Sequence, residues 1–155
     1  MLQWRQQLSG GYDGLADLAD ADYEAIYDVD TSPIKRLWGQ HKGMVKLATP
    51  GVTSTTVQKK GAAFAEAVNY QYRYEIPADI TTEDAAEEYI NDTLGRNDFA
   101  VAAFPSFAYI ADPTPNSEGM KLVSTTGAIQ GREAKSAKDW GGYHKPAAGT
   151  NVTLP

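Results

Sequence analysis

Tyr70-Gln71-Tyr72-Arg73-Tyr74-Glu75-Ile76 alternates without a fault. Three tyrosines and Ile76 face one way, and Gln71, Arg73 and Glu75 face the other. Successive side chains of a strand leave on opposite faces, so this period of two predicts a β-strand. Parallel strands covered on both faces read as unbroken apolar runs. This one does not, which predicts a position at or near a sheet edge.

Working outward, the pattern changes period on both sides. Residues 55–68 carry Val57, Phe64, Ala65 and Val68 at helical spacing. Gly61 in their midst weakens a helix by roughly 1 kcal/mol relative to alanine, which marks it as a point of close packing on a sheet. Upstream of that helix, residues 44–49 read as a strand stopped by Pro50-Gly51. Downstream, Thr81-Thr82-Glu83-Asp84 opens a helix in capping-box style, Ala86, Tyr89, Ile90 and Leu94 form its inner face, and Gly95 ends it. Phe99-Ala100-Val101-Ala102-Ala103-Phe104 is a continuous apolar strand, the candidate for the sheet centre. Pro105 interrupts it before Phe107-Ala108-Tyr109-Ile110 resumes.

The outer segments complete the pattern. Residues 19–28 predict a short helix capped by Asp20 or Asp22, with Tyr23, Ile26 and Tyr27 inward. Ser32-Pro33 opens a second, with Ile34, Leu37 and Trp38 as its stripe. Ser117 to Met120 reads as a turn, and residues 125–138 as a last helix packing Ala128, Ile129, Ala134 and Ala137. Gly127 and Gly131, four apart, would permit a close approach there. Strands alternating with helices predict an α/β domain: a mostly parallel sheet with helices on both faces, three layers, and a β-α-β-α-β core. With 70–76 at an edge, the order of strands 44–49, 70–76 and 99–104 is 2-1-3.

Length and composition bound the function. A chain of 155 residues is one domain with room for a core. Fourteen basic against twenty acidic residues give a net charge of −6, which argues against a nucleic-acid partner. With no cysteine there is no disulfide framework, thiolate metal site or thiol nucleophile. No apolar run is long enough for a membrane helix, and Met1 to Gln6 has no apolar signal core, so no membrane partner is expected.

Motifs for chemistry are sparse. Gly10-Gly11-Tyr12-Asp13-Gly14 has neither phosphate-loop spacing, and a structural turn is the plainer reading. His41 and His144 are the chain's two histidines, and neither has a motif-placed serine or aspartate. The acids Asp13, Asp17, Asp20, Asp22, Glu24, Asp28 and Asp30 lack a calcium-loop pattern, which leaves a solvated acidic face. No catalytic residue, metal ligand or cofactor is therefore expected. Charge is nonetheless uneven. Residues 13–30 carry seven acids and no base, while 119–145 carry Lys121, Arg132, Lys135, Lys138 and Lys145 against Glu133 and Asp139. Opposed patches on one molecule suit self-association, and a pair of solvated faces fits the pattern equally well.

The order of several motifs is specific. Leu8-Ser9-Gly10-Gly11-Tyr12-Asp13-Gly14, followed by Asp20-Ala21-Asp22-Tyr23, resembles the glycine-rich entry of bacteriophage contractile tail sheath proteins. Val45 to Gly51 is similar to that family's strand ending in Pro50-Gly51, and Phe107 to Pro113 to its segment ending in Asp112-Pro113. Gly127-Ala128-Ile129-Gln130-Gly131-Arg132-Glu133-Ala134 resembles its late helix, and Trp140 to Gly149, with Lys145-Pro146, its closing segment. The family's usual Pro-Pro-Ser-Gly is here Ser124-Thr125-Thr126-Gly127, and its late aspartate is displaced toward Asp139, so this would be a divergent member.

The resemblance implies a structural protein and no enzyme. Its subunits would stack helically around a tail tube and contract when a baseplate triggers them. Partners would be other sheath subunits, tube and baseplate. The location would be the virion's tail sheath, reached from the host cytoplasm. It further implies that residues 1–155 are a single core domain from a longer subunit, without its N- and C-terminal arms, and monomeric by itself. The alternative reading is a small α/β enzyme or nucleotide-binding domain. Its ligand would lie at the strand ends, 49–55, 77–79 and 105–106, where no lysine, arginine or histidine stands.

Overall fold

The computed structural model describes residues 17–38, 45–113 and 118–140. In chain order the elements are α1 (Asp20–Ile26), α2 (Pro33–Trp38), β1 (Lys46–Ala48), α3 (Thr55–Val68), β2 (Gln71–Tyr74) and α4 (Glu83–Glu88). Then follow a π-helical turn (Tyr89–Leu94) continuing α4, β3 (Ala100–Ala102), β4 (Phe107–Ala111), β5 (Met120–Ser124) and α5 (Thr126–Trp140). Strands β1, β2 and β3 form a parallel sheet in that order, and β4 pairs with β5 as a separate antiparallel ribbon. The chain is thus mixed helix and strand of α/β type, with a three-stranded parallel sheet.

Strand β2 is therefore the middle strand, which corrects both the edge position and the 2-1-3 order. The apolar run containing β3 lies at the side of the sheet instead of its centre. The physical reason is that the polar face of β2 is not in water. Arg73 is 7 % exposed and Glu75, just beyond the strand, 1 %. Glu133 of α5 bonds Arg73 Nη2 at 2.7 Å. Alternation along a strand separates two faces, and on the polar one Arg73 meets a carboxylate from 60 residues away.

The tyrosine face carries the core. Val57, Ala62, Phe64 and Ala65 of α3 cluster with Tyr27, Tyr70, Tyr72, Tyr74 and Leu94. The Tyr72 ring stands edge-on to Tyr27, with centroids 5.7 Å apart, and to Tyr74 at 5.9 Å. Such pairs add about 0.5–1.5 kcal/mol beyond the area they bury. Gly61 is where α3 meets this ring, because an added Cβ would fall 2.3 Å from Tyr72 Cε2. Asn69 then ends α3 at φ 58°, in the left-handed region that asparagine tolerates.

The helix starts differ in detail from expectation. The residue before α1 is Ala19, whose N–H donates to the Asp22 carboxylate at 2.9 Å, while Asp20 accepts from the Ser54 hydroxyl at 2.5 Å instead of capping. Ile26 is exposed. Ser32 does cap α2, accepting from the Ile34 N–H at 3.2 Å. Thr82 caps α4 by accepting from the Ala85 N–H at 3.3 Å.

The last third departs most. Between the turn expected at Ser117 to Met120 and the helix expected from 125, where the pattern predicts no element, residues 120–124 form β5. On α5, Ala128 and Ala134 are exposed, while Ile129 and Ala137 are half-buried. Gly127 and Gly131 are exposed too, and a Cβ on either would meet nothing within 4 Å. They make no close approach among the described residues. No helix among the described residues is long and apolar enough to cross a membrane.

Candidate functional site

The carboxyl ends of the parallel strands are where an α/β sheet offers a crevice. Here they are tied to one another through Glu75. The side-chain amide of α3's Gln58 replaces a missing strand neighbour. Its Oε1 accepts from the Glu75 N–H at 2.7 Å, and its Nε2 donates to the Glu75 carbonyl at 2.9 Å. The Glu75 carboxylate accepts from the Gly51 N–H at 2.8 Å and from the Ser124 hydroxyl. Gly51 has φ +84°, a conformation glycine adopts without strain, so the Pro50-Gly51 turn turns a backbone donor onto a buried charge.

The next residues continue the knot. The Ile76 N–H donates to Ser106 Oγ at 2.9 Å, and that hydroxyl donates to the Ala103 carbonyl at 2.6 Å. The Thr125 N–H donates to the Ser106 carbonyl at 2.8 Å. A cis bond joins Phe104 to Pro105 at this corner. Beneath the tyrosine face, burial pushes the Tyr72 phenol above its ordinary value, against the hydrogen bond to the Thr49 hydroxyl, which lowers it. Burial likewise raises Tyr27 and Tyr74. These phenols stay neutral near pH 7 and act as packing groups.

Beside the knot lies a mainly apolar groove of about 450 Å³, whose lining includes Ile76, Pro77, Phe104, Phe107, Tyr109 and Leu122, with hydroxyls from Thr81 and Ser106. No carboxylate, amine, guanidinium or imidazole lines it among the described residues. Such a lining offers shape and apolar contact, and no acid, base or anion-binding group. The β4–β5 ribbon extends the same surface outward. Tyr109 stands opposite Leu122 and Ala111 opposite Met120. Tyr109 is 68 % and Met120 64 % exposed, with Ile110 and Leu122 also open.

Of the motif residues, Gly51 bonds Glu75 through its N–H, and Pro50 before it is exposed. Tyr23 packs half-buried from α1 onto the core. The Asp112 N–H donates to the Gly119 carbonyl at 2.9 Å beyond the end of the ribbon, and Pro113 follows exposed. Gly127 and Gly131 lie on the exposed side of α5. Gly10, Gly11, Asp13, Gly14, Lys145, Pro146, His41 and His144 lie outside the described residues. The motif residues therefore do not converge on one site. Glu75, Gln58, Arg73 and Glu133 were missed as a group. The available signal was three polar side chains on one face of an otherwise aromatic strand.

A comparison with protein-family models, curated proteins and solved structures finds no significant match.

Proposed function

We propose that the chain is a structural subunit of a contractile phage tail sheath, polymerising helically around the tail tube and contracting to drive it through the host envelope. On this reading it is not an enzyme, and it needs no cofactor. Its partners are other sheath subunits, the tube and the baseplate, and it resides in the virion's tail after assembly in the host cytoplasm. The domain is a three-layer unit with a β-α-β-α-β core, in which α3 covers the tyrosine face and α5 the polar face.

The observation that carries this reading, beside the order of motifs, is the β4–β5 ribbon. Tyr109, Leu122 and Met120 stand open on one face of a two-stranded element, with Ile110 open on the other. Contiguous exposed apolar surface of this kind marks interaction sites. The strand-end groove favours the same side of the choice, because its lining of apolar side chains with Thr81 and Ser106 suits a packing contact better than a charged nucleotide. Contacts between unlike patches whose rotation does not close propagate as a filament. Contraction would then be rigid-body rotation with contacts re-formed.

Immunogold electron microscopy with antibodies to this chain tests the reading on contractile-tailed particles from producing cells. Label along the outer tail in both extended and contracted particles is expected. Label confined to heads, or no label on any tail, would overturn it. A thermal-shift screen with nucleotides tests the enzyme alternative, which a stabilisation of several degrees would support.

A further inference from the structure

The two long helices are attached to the sheet by different chemistry. Helix α3 buries Val57, Ala62, Phe64 and Ala65. Helix α5 turns Thr126, Gln130 and Glu133 inward, spaced four and three residues apart on one face. Across from them stand Arg73 of β2 and Lys46 of β1. Glu133 reaches both, with Oε1 at 2.7 Å from Arg73 Nη2 and Oε2 at 3.0 Å from Lys46 Nζ.

This polar seam is incompletely bonded by protein groups. Arg73 Nε, Thr126 Oγ1 and Gln130 Nε2 are buried with no hydrogen-bond partner among the described residues. Glu133 Oε2 meets Lys46 as a charge contact without hydrogen-bonding geometry. Buried polar atoms are ordinarily paired, and an unpaired one loses its water on docking without compensation. Water would satisfy the Arg73, Gln130 and Glu133 atoms if α5 lifted from its root, where Thr126 stays. The root of the helix is held differently. The Thr125 hydroxyl donates to the Ser106 carbonyl at 3.0 Å, and Ser124 Oγ accepts from the Thr126 N–H at 3.2 Å while donating to Glu75.

We infer that α5 is a hinged helix, rooted at 124–126 and latched at mid-length by Glu133 on Arg73 and Lys46, which undocks while α3 and the sheet stay folded. The latch is ionic and mostly buried, with side-chain exposures of 21 % for Lys46, 17 % for Glu133 and 8 % for Arg73, so salt reaches its charges chiefly through the Lys46 side and as the helix opens. Salt therefore weakens it, whereas the apolar seat of α3 is indifferent to screening.

Hydrogen exchange read by mass spectrometry on the full chain tests this. In wild-type protein, moving from about 50 mM to about 1 M NaCl shortens the screening length several-fold. The amides of 129–139 should then exchange about threefold faster or more, with those of α3 and β2 unchanged. Glu133→Gln keeps the shape, removes the charge, and should speed the same α5 amides about tenfold at low salt. Lys46→Met, which leaves the Arg73 bond in place, should give an intermediate effect. Salt-independent protection of α5 in the wild type would overturn the latch. So would α3 and β2 amides accelerating in step with α5 at high salt or in either variant, since undocking would then be global unfolding.

Discussion

Gly61→Ala puts a methyl group where α3 rests on Tyr72. Its Cβ would lie 2.3 Å from Cε2, 2.6 Å from Cζ and 2.9 Å from Cδ2 of that ring. Ordinary carbon contacts are about 3.5–4.0 Å. The ring has nowhere to go. It is 0 % exposed, wedged edge-on against Tyr27 and Tyr74, and its hydroxyl is bonded to Thr49. Overpacking of this kind costs about 1–3 kcal/mol, and overlap with three ring atoms points to the upper end. Alanine's helix preference offsets about 1 kcal/mol of it. The net expectation is a loss of about 2 kcal/mol, a fall in Tm of about 4–8 °C for a chain this size.

Calorimetry or thermal melts by circular dichroism would read that shift. Gly131→Ala is the matched control, since the site is open and exposed. It should instead gain up to about 1 kcal/mol. In a Tyr72→Leu background the obstructing ring is gone, and Gly61→Ala should turn from harmful to neutral or helpful. If Gly61→Ala stabilises the wild-type protein as Gly131→Ala does, the close contact between α3 and β2 is not as described.

Gln58→Ala strands the N–H and C=O of buried Glu75, so urea unfolding should show a loss of about 2–4 kcal/mol, two unmet groups at about 1–2 kcal/mol each. Tyr72, Tyr27 and Tyr74 are raised above the ordinary value of 10.0 in the folded state. Above pH 10 the unfolded chain then releases protons that the folded chain retains. Stability should hold below about pH 9 and fall beyond pH 10 by up to about 1.4 kcal/mol per pH unit for each such phenol, as urea midpoints would show. The five-residue ribbon β4–β5 is about 17 Å long and about 10 Å wide, far short of the ~800 Å² each partner gives in a stable complex. Light scattering after size exclusion should therefore give one subunit mass at micromolar concentration, and a stable dimer would refute this. Lys135 and Lys138 are exposed on α5. Reversing both to Glu should weaken sheath assembly at low salt more than at high salt, and unchanged assembly would remove charge complementarity from the proposal.

What could be read along the chain was what local pattern determines. Helix α3 spans the expected 55–68, and Gly61 does mark close packing, because a glycine inside a strong helical pattern has few other uses. The same logic failed at Gly127 and Gly131, where the helix turns its small residues outward and its polar ones inward. Strand β5 was missed because Met120-Lys121-Leu122-Val123-Ser124 gains its strand character from pairing with Phe107–Ala111. The position of β2 failed for a related and more general reason. Period-two alternation says that a strand has two unlike faces, and it is silent on what covers each. Equating the polar face with solvent holds where nothing else is available to satisfy it. Here Glu133 meets Arg73, while Gly51 and Ser124 meet the Glu75 carboxylate, so a polar face becomes an inner face. Those partners lie 24 to 60 residues away, beyond the reach of any local pattern. A buried polar face is also a weaker adhesive than an apolar one, since each atom left unbonded subtracts from the gain. The residue pattern that disguised β2 as an edge strand is thus the same one that leaves α5 separable from it.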